Sequence, residues 1–250
     1  MNSKILYLGD TALDNAASYL AAVMLHCDIA FDYIDSASPC SDRQLSEDCS
    51  ALVISDYPAS NFSQPQFQQI IAKTRAGMGL LMIGGWESFT GSCGGYQSAP
   101  LAQLLPVEMK ATDDRINSFS PCLIRPEVEH PVTAGLPFAT HSAAINGYNQ
   151  FRGKENATTI LSVKRYRAAL VNGDFEFSLE SLDPLLVVGQ AGEGRVACYA
   201  GDVAPHWAGG FVDWGDRRLT LQAPGAGEVE IGNWYIQFFG NLIKWVSRNV

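Results

Sequence analysis

No stretch of this chain is apolar for anything near the ~20 residues a membrane helix requires, so no anchor is expected and a membrane is not expected among its partners. The opening Met1-Asn2-Ser3-Lys4 places one lysine before only four apolar residues, Ile5 to Leu8. That is too short for the core of a secretory signal, and the expectation is a soluble, cytoplasmic protein. C-x-x-C pairs are also missing: the six cysteines stand at 27, 40, 49, 93, 122 and 198, several inside apolar segments. Their scatter fits reduced thiols better than a disulfide framework or a zinc site, and no metal is expected. The first apolar run ends in Gly9-Asp10-Thr11-Ala12-Leu13-Asp14, without the glycines of a G-x-G-x-x-G loop, and no G-K-[ST] occurs anywhere. A dinucleotide or nucleotide-phosphate cradle is therefore disfavoured, and no cofactor is expected.

Positive charge is scarce, with 17 basic against 26 acidic residues for a formal charge of −9 and a pI of about 4.8. Such a surface repels phosphate backbones, so nucleic acid is not an expected partner. What the chain has in abundance is apolar mass: 47% hydrophobic and 10% aromatic residues against 17% charged. With 250 residues and no internal repeat, it can bury one large core. One domain over 1–250 is the expectation, with 86–182 as an elaboration upon it.

The order of elements follows from periodicity. Lys4 to Leu8 reads as a strand, Thr11 to Cys27 as a helix with Leu13, Ala17, Leu20, Ala21 and Met24 at helical spacing, and Phe31 to Ile34 and Ala51 to Ile54 as strands. A helix over 66–76 stops at Gly77, and Gly79 to Ile83 is a fourth strand. Continuous apolar strands alternating with helices predict a parallel sheet covered on both faces, with strand order 2-1-3-4. After Gly85 a Gly-rich loop and a short helix at 101–105 lead into an irregular region punctuated by Pro121, Pro126, Pro131 and Pro137. Leu185 to Val188 and Arg195 to Ala200, joined by Ala191-Gly192-Glu193-Gly194, read as a hairpin closing the sheet with antiparallel strands. An amphipathic helix from Trp234 to Val246 ends the pattern.

In open α/β sheets ligands bind beyond the carboxyl ends of the strands, where strand order reverses. That rule selects Asp10 after strand one, Asp56 after strand three, Gly84-Gly85-Trp86-Glu87 after strand four, and Asp202 with His206 and Trp207 after the last strand. Each aspartate alone reads as a turn former or helix cap; their convergence points to a site for a small polar ligand. His206 is the candidate general base or ligand donor, held by Pro205 over the strand ends with Asp202 near enough to bond its ring; its alternative role is anchoring the loop. Trp86, Tyr96, Trp207 and Trp214 offer aromatic faces of the kind that hold sugars, against the plainer reading as loop packing. Gly91-Ser92-Cys93-Gly94-Gly95 is a literal G-x-C-x-G, yet four residues (87–90) follow Gly85-Trp86 before it begins, so Cys93 does not directly follow the strand as a nucleophile elbow requires.

Several stretches are more particular than this. Leu80-Leu81-Met82-Ile83-Gly84-Gly85-Trp86-Glu87-Ser88-Phe89, Leu104-Leu105-Pro106-Val107, the run from Glu129 to Pro137, Pro184-Leu185-Leu186, and Gly192 through Asp202 to Pro205-His206-Trp207 together resemble the glutamine amidotransferase-like family. This family shares the class I glutamine amidotransferase-like fold and is related to trehalose-utilisation-type proteins. The resemblance covers most of the chain. It implies an α/β, flavodoxin-like three-layer sheet with an irregular β-rich insertion and a C-terminal antiparallel hairpin. It also implies an elbow after the fourth strand, where true amidotransferases carry their cysteine, and a histidine after the last strands. Here the elbow falls on Gly84 or Gly85 and the histidine on His206, while the glutamate expected two residues later is Ala208. The expected function is thus a family member without glutaminase activity that binds a small polar ligand, with sugars among the candidates, through Asp10, Asp56, Gly84, Gly85, Trp86, Glu87, Asp202 and Trp207. The alternatives are a hydrolase using Cys93 and His206, and a non-catalytic interaction or assembly protein; homo-oligomerisation is left open.

Overall fold

The structure is a computed structural model and describes residues 4–248. Its first half is built from β1 (Lys4–Gly9), α1 (Ala17–His26), β2 (Phe31–Ile34), α2 (Asp42–Ser46), β3 (Cys49–Ser55), α3 (Gln64–Arg75) and β4 (Gly79–Ile83). The second half adds β5 (Val107–Met109), β6 (Arg115–Pro126), β7 (Ala144–Asn149), β8 (Phe151–Gly153), β9 (Thr158–Val171), β10 (Asp174–Ala191) and β11 (Gly194–Tyr199). The chain ends in α4 (Pro205–Ala208), β12 (Arg218–Leu221), β13 (Val229–Gly232) and α5 (Asn233–Ser247). Among the described residues no helix is long and apolar enough to cross a membrane.

Nine strands form one sheet in the order β2-β1-β3-β4-β11-β10-β9-β6-β7. The β2-β1-β3-β4-β11 half is parallel, and its central strands are fully buried apolar runs such as Leu52–Ile54 and Leu80–Ile83. Strands covered on both faces lose polar alternation, which is why they were legible as runs. α1 packs with α5 and α2 with α3, giving the outer layers. The expected order 2-1-3-4 holds, and the sheet reverses direction of growth between β1 and β3.

Three expectations are corrected. The helix expected from Thr11 starts at Ala17, because Asp10 and Thr11 adopt left-handed backbone (φ 51° and 62°) and cannot begin a helix. The hairpin β10-β11 is antiparallel as expected but does not close the sheet: β11 pairs in parallel with β4, and three further strands lie beyond β10. Residues 107–182, expected to be irregular, hold strands of 12 and 14 residues and part of one of 18. Their two faces are unequally covered and their strands carry polar and charged residues, so they lack the apolar continuity that identified β1, β3 and β4. The antiparallel half curls over the parallel one, because Asn149 at the end of β7 donates its backbone N–H to Ala200 O just after β11 at 2.9 Å. The end of β7 is thereby brought to the carboxyl ends of β4 and β11, where the Asn149 side chain also bonds Gly85.

Candidate functional site

The strand ends bring together the three aspartates singled out from the sequence. Asp10 follows β1 and Asp56 follows β3, both with left-handed backbone (φ 51° and 45°) that bends the chain sharply at the sheet edge. Non-glycine residues in this conformation are uncommon, and they gather at sites where geometry matters more than local comfort. Asp10 is 1% exposed and accepts a short hydrogen bond from Tyr7 Oη. Asp56 accepts the backbone N–H of Glu87, while its own N–H is bonded to Ser88 Oγ at 3.0 Å. Asp202 is 6% exposed, and its Oδ1 accepts the N–H groups of Val203 at 2.6 Å and Ala204 at 3.2 Å.

These three carboxyls sense one another. Burial first, then the charge of Asp56, pushes Asp10 up to about 7. Burial, with the nearby charge of Glu87 adding to it, raises Asp56 to about 6 against the hydrogen bonds from backbone N–H groups. Asp202 is held well above the usual carboxylate range by burial and then by Asp10 and Asp56. Carboxyls raised in this way keep their protons to higher pH than free ones, and while protonated they can both donate and accept hydrogen bonds. Among the described residues, no group of three or more His, Cys, Asp or Glu side chains is arranged to hold a metal ion.

A second, solvent-facing layer lies beside the carboxyls. Trp86 is 44% exposed, with Arg115 Cζ 4.6 Å above its ring and the His206 ring 5.8 Å from it at 59°. Arg115 is itself paired with Asp113 at 2.7 Å. Cys93 is exposed, and its thiol lies 3.5 Å from Glu87 Oε1. Glu87, Trp86, Cys93, Arg115 and His206 thus form one rim, joined through contacts to Trp86 and Glu87.

Other expectations are altered. No hydrogen bond joins Asp202 to His206 among the described residues; Asp202 caps the backbone ahead of α4, and the exposed imidazole packs on Trp86 instead. Trp207 is 1% exposed with Nε1 bonded to Asn117 Oδ1 at 2.7 Å, so it anchors α4 to β6. Tyr96 and Trp214 are buried as well, bonded to Tyr57 O and His141 O. Of the four aromatics, Trp86 alone offers a substantial free face. The loop around Cys93 is a series of turns and is followed by a single 3-10 turn, Tyr96–Ser98, so it lacks the strand-to-helix geometry of an elbow.

Sequence reasoning missed the groups that hold this loop in place. Buried Asn149 donates to Gly85 O and Asp114 Oδ1 and accepts from Gly85 N, while Asp114 takes the N–H groups of Thr90 and Gly91. Arg115 follows directly and reaches Trp86. Nothing in the sequence tells that a strand end 64 residues on clamps Gly85. A separate cavity of about 510 Å³ opens among β5, β8 and β10, with Lys110, Gln150 and Asp183 in its walls; it contains none of the predicted site residues.

The family described as "Putative glutamine amidotransferase" matches residues 49–221, more than half the chain. The chain belongs to this family. A cytoplasmic protein from Salmonella typhimurium LT2 has a similar structure, at 26% identity and TM-score 0.73, over 97% of this chain and 99% of that one. A second cytoplasmic protein from Salmonella typhimurium is 23% identical, with TM-score 0.72 over 97% and 98% of the two chains. A ThuA-like protein from Bacteroides uniformis shares the fold at 13% identity and TM-score 0.55, over 98% of this chain and 91% of its own. No curated protein matches the sequence.

Within the glutamine amidotransferase-like fold, the elbow after β4 has a definite shape here. A Cβ placed on Gly84 would lie 2.1 Å from Ala200 O and 2.6 Å from Asn149 Oδ1. At Gly85, whose φ of +154° few other residues adopt, a Cβ would lie 2.4 Å from Asp56 Oδ1. The place where a side chain would leave the elbow is filled on one side by backbone and on the other by a carboxylate.

Proposed function

We propose that this glutamine amidotransferase-like protein works without a covalent nucleophile and holds a small polar ligand at the carboxyl ends of β1, β3, β4 and β11, in the cytoplasm. The observation that carries this reading is the filled elbow: Asp56 stands 2.4 Å from where a side chain at Gly85 would begin. Without a thiolate there, no glutaminyl thioester forms, and the family's name describes ancestry of fold rather than chemistry. The rim defines what binds. Trp86 supplies a flat apolar face, Arg115 a fixed cation, and His206 a ring nitrogen that donates or accepts, with the buried carboxyls below. A polyhydroxylated ring or a small carboxylate, with one face to stack and oxygens for Arg115 and His206, matches that set. The hydrolase reading finds less support, since the thiol of Cys93 has Glu87 as its neighbour where catalysis would need an imidazole.

Thermal shift with a panel of monosaccharides, sugar acids, amino acids and small dicarboxylates tests the reading. A compound that raises Tm in the wild type should lose most of its effect in His206→Ala and in Trp86→Ala. Both side chains are exposed, so the unliganded Tm should move by only about 1–2 °C. Equal losses with and without the compound would make His206 a structural residue, and a panel without any shift would count against the site.

A further inference from the structure

Strands β9 and β10 run on well past the sheet. β9 pairs with β6 only through Arg165, and β10 pairs with β11 only from Leu186 onward. Between those limits, Tyr166 to Val171 and Asp174 to Leu179 pair with each other alone, closed by Asn172-Gly173 with φ of 52° and 95°. Two positive φ values in an Asn-Gly turn suit the right-handed twist of a hairpin, so the arm is locally well specified. Six residues of strand carry it about 20 Å from the body of the protein.

Directly opposed residues of an antiparallel pair share a face. Phe175 opposes Leu170, Phe177 opposes Ala168 and Leu179 opposes Tyr166, so one face of the arm is apolar throughout. Phe175 is 70% exposed, Leu170 67%, Phe177 58% and Leu179 56%. The other face carries Asp174, Glu176, Ser178 and Arg167. A lone two-stranded ribbon is marginal in water, and one whose apolar face is uncovered gains most from being covered.

We propose that this face packs against the same face of a second copy of the chain, making the protein a dimer joined through its arms. Charge favours a like partner. Over 164–180, the arm with its base, Lys164, Arg165 and Arg167 balance Asp174, Glu176 and Glu180, and Glu180 bridges both arginines at 3.0 and 3.5 Å, so this stretch is neutral on a chain of net charge −9. The apolar face bears no charge, so two identical faces meet without a repelled or unpaired group, as an isologous contact requires. Its reach of about 20 Å is more than two Debye lengths at physiological salt, which keeps the acidic bodies apart while the arms touch. The area suffices: the two phenylalanines and two leucines expose about 500 Å² per copy, so a pair buries about 1,000 Å², the lower bound for a specific interface.

Sedimentation equilibrium on the full chain reads this directly. The wild type at about 50 μM should weigh twice 27.1 kDa, and Phe175→Ser/Phe177→Ser should weigh 27.1 kDa with an unchanged far-UV spectrum. Should that variant fail to fold, hydrogen exchange on the wild type decides: amides of 166–179 should exchange several-fold more slowly at about 50 μM than at about 0.5 μM. A wild type that is monomeric at the higher concentration, a folded variant that remains dimeric, or arm exchange independent of concentration would overturn the proposal. Monomers that bind another protein or lipid vesicles through the arm would count against it equally, since the second copy is the committed partner.

Discussion

Gly84→Cys, the substitution that would restore a thiol to the elbow, is expected to destabilise the fold by about 3 kcal/mol or more and to yield no glutaminase activity. The new Cβ would meet Ala200 O at 2.1 Å and Asn149 Oδ1 at 2.6 Å. The first is backbone, held because Ala200 O also accepts the N–H of Asn149, so it cannot swing aside as a flexible side chain could. Relief would have to come from separating β4 from β11 or from breaking the clamp on Gly85. Either leaves buried polar groups without partners, each costing about 1–3 kcal/mol. Urea unfolding of wild type and variant measures the loss; a variant of wild-type stability would show that the elbow has room for the nucleophile after all.

Asp10→Asn is expected to act in the opposite direction and to depend on pH. The folded-state value of Asp10 stands at about 7, against 3.8 for the free side chain, and burial is the principal cause. A raised carboxyl binds more protons in the folded chain than in the unfolded one. Its contribution is therefore fully present below about pH 4, falls as pH rises through the window, and is lost above about pH 7. The wild type should thus lose stability from pH 4 to pH 8. The amide variant carries no charge to bury and can still accept from Tyr7 Oη, so it should match the wild type near pH 4 and exceed it at pH 8. The shift sets a ceiling of about 4 kcal/mol, and because Asp10, Asp56 and Asp202 interact, a gain of about 2 kcal/mol, or several degrees in Tm, is the expected size. Asp202, which the Asp10 charge helps to raise, should also titrate lower once Asp10 is neutral. Identical melting curves across pH for wild type and variant would mean that the cluster is not a store of unfavourable burial. Three carboxyls kept buried at the expense of stability argue for use rather than packing, as stability traded for function does elsewhere.

How far the sequence led depends on which interactions wrote each part. β2 and β4 lie where the apolar runs place them, and β1-β3-β4 stand in the expected order, because strands buried on both faces advertise themselves residue by residue. α3 was found but its start was not: the expected helix begins at Gln66, whereas Ser63 caps it in a capping box with Gln66 and the helix starts at Gln64. β6, β9 and the part of β10 before Leu185 were not legible, since strands with one exposed face or none covered carry mixed residues and take their register from partners far along the chain. The site divides in the same way. Asp10, Asp56, Glu87 and His206 could be found from their positions at strand ends. Asn149, Asp114 and Arg115 could not, because their part depends on β7 curling back to β11, a contact with no local signature.

Ammonia release from glutamine is the most direct measurement of the central claim. Purified wild-type protein at high concentration, with glutamine in excess, should give no ammonia above a protein-free blank, and Cys93→Ala should be indistinguishable from it, because loss of a covalent nucleophile forfeits many orders of magnitude of rate. Glutamine turnover by the wild type that disappears in Cys93→Ala would contradict the account, and would place the working thiol in the exposed loop beside Glu87.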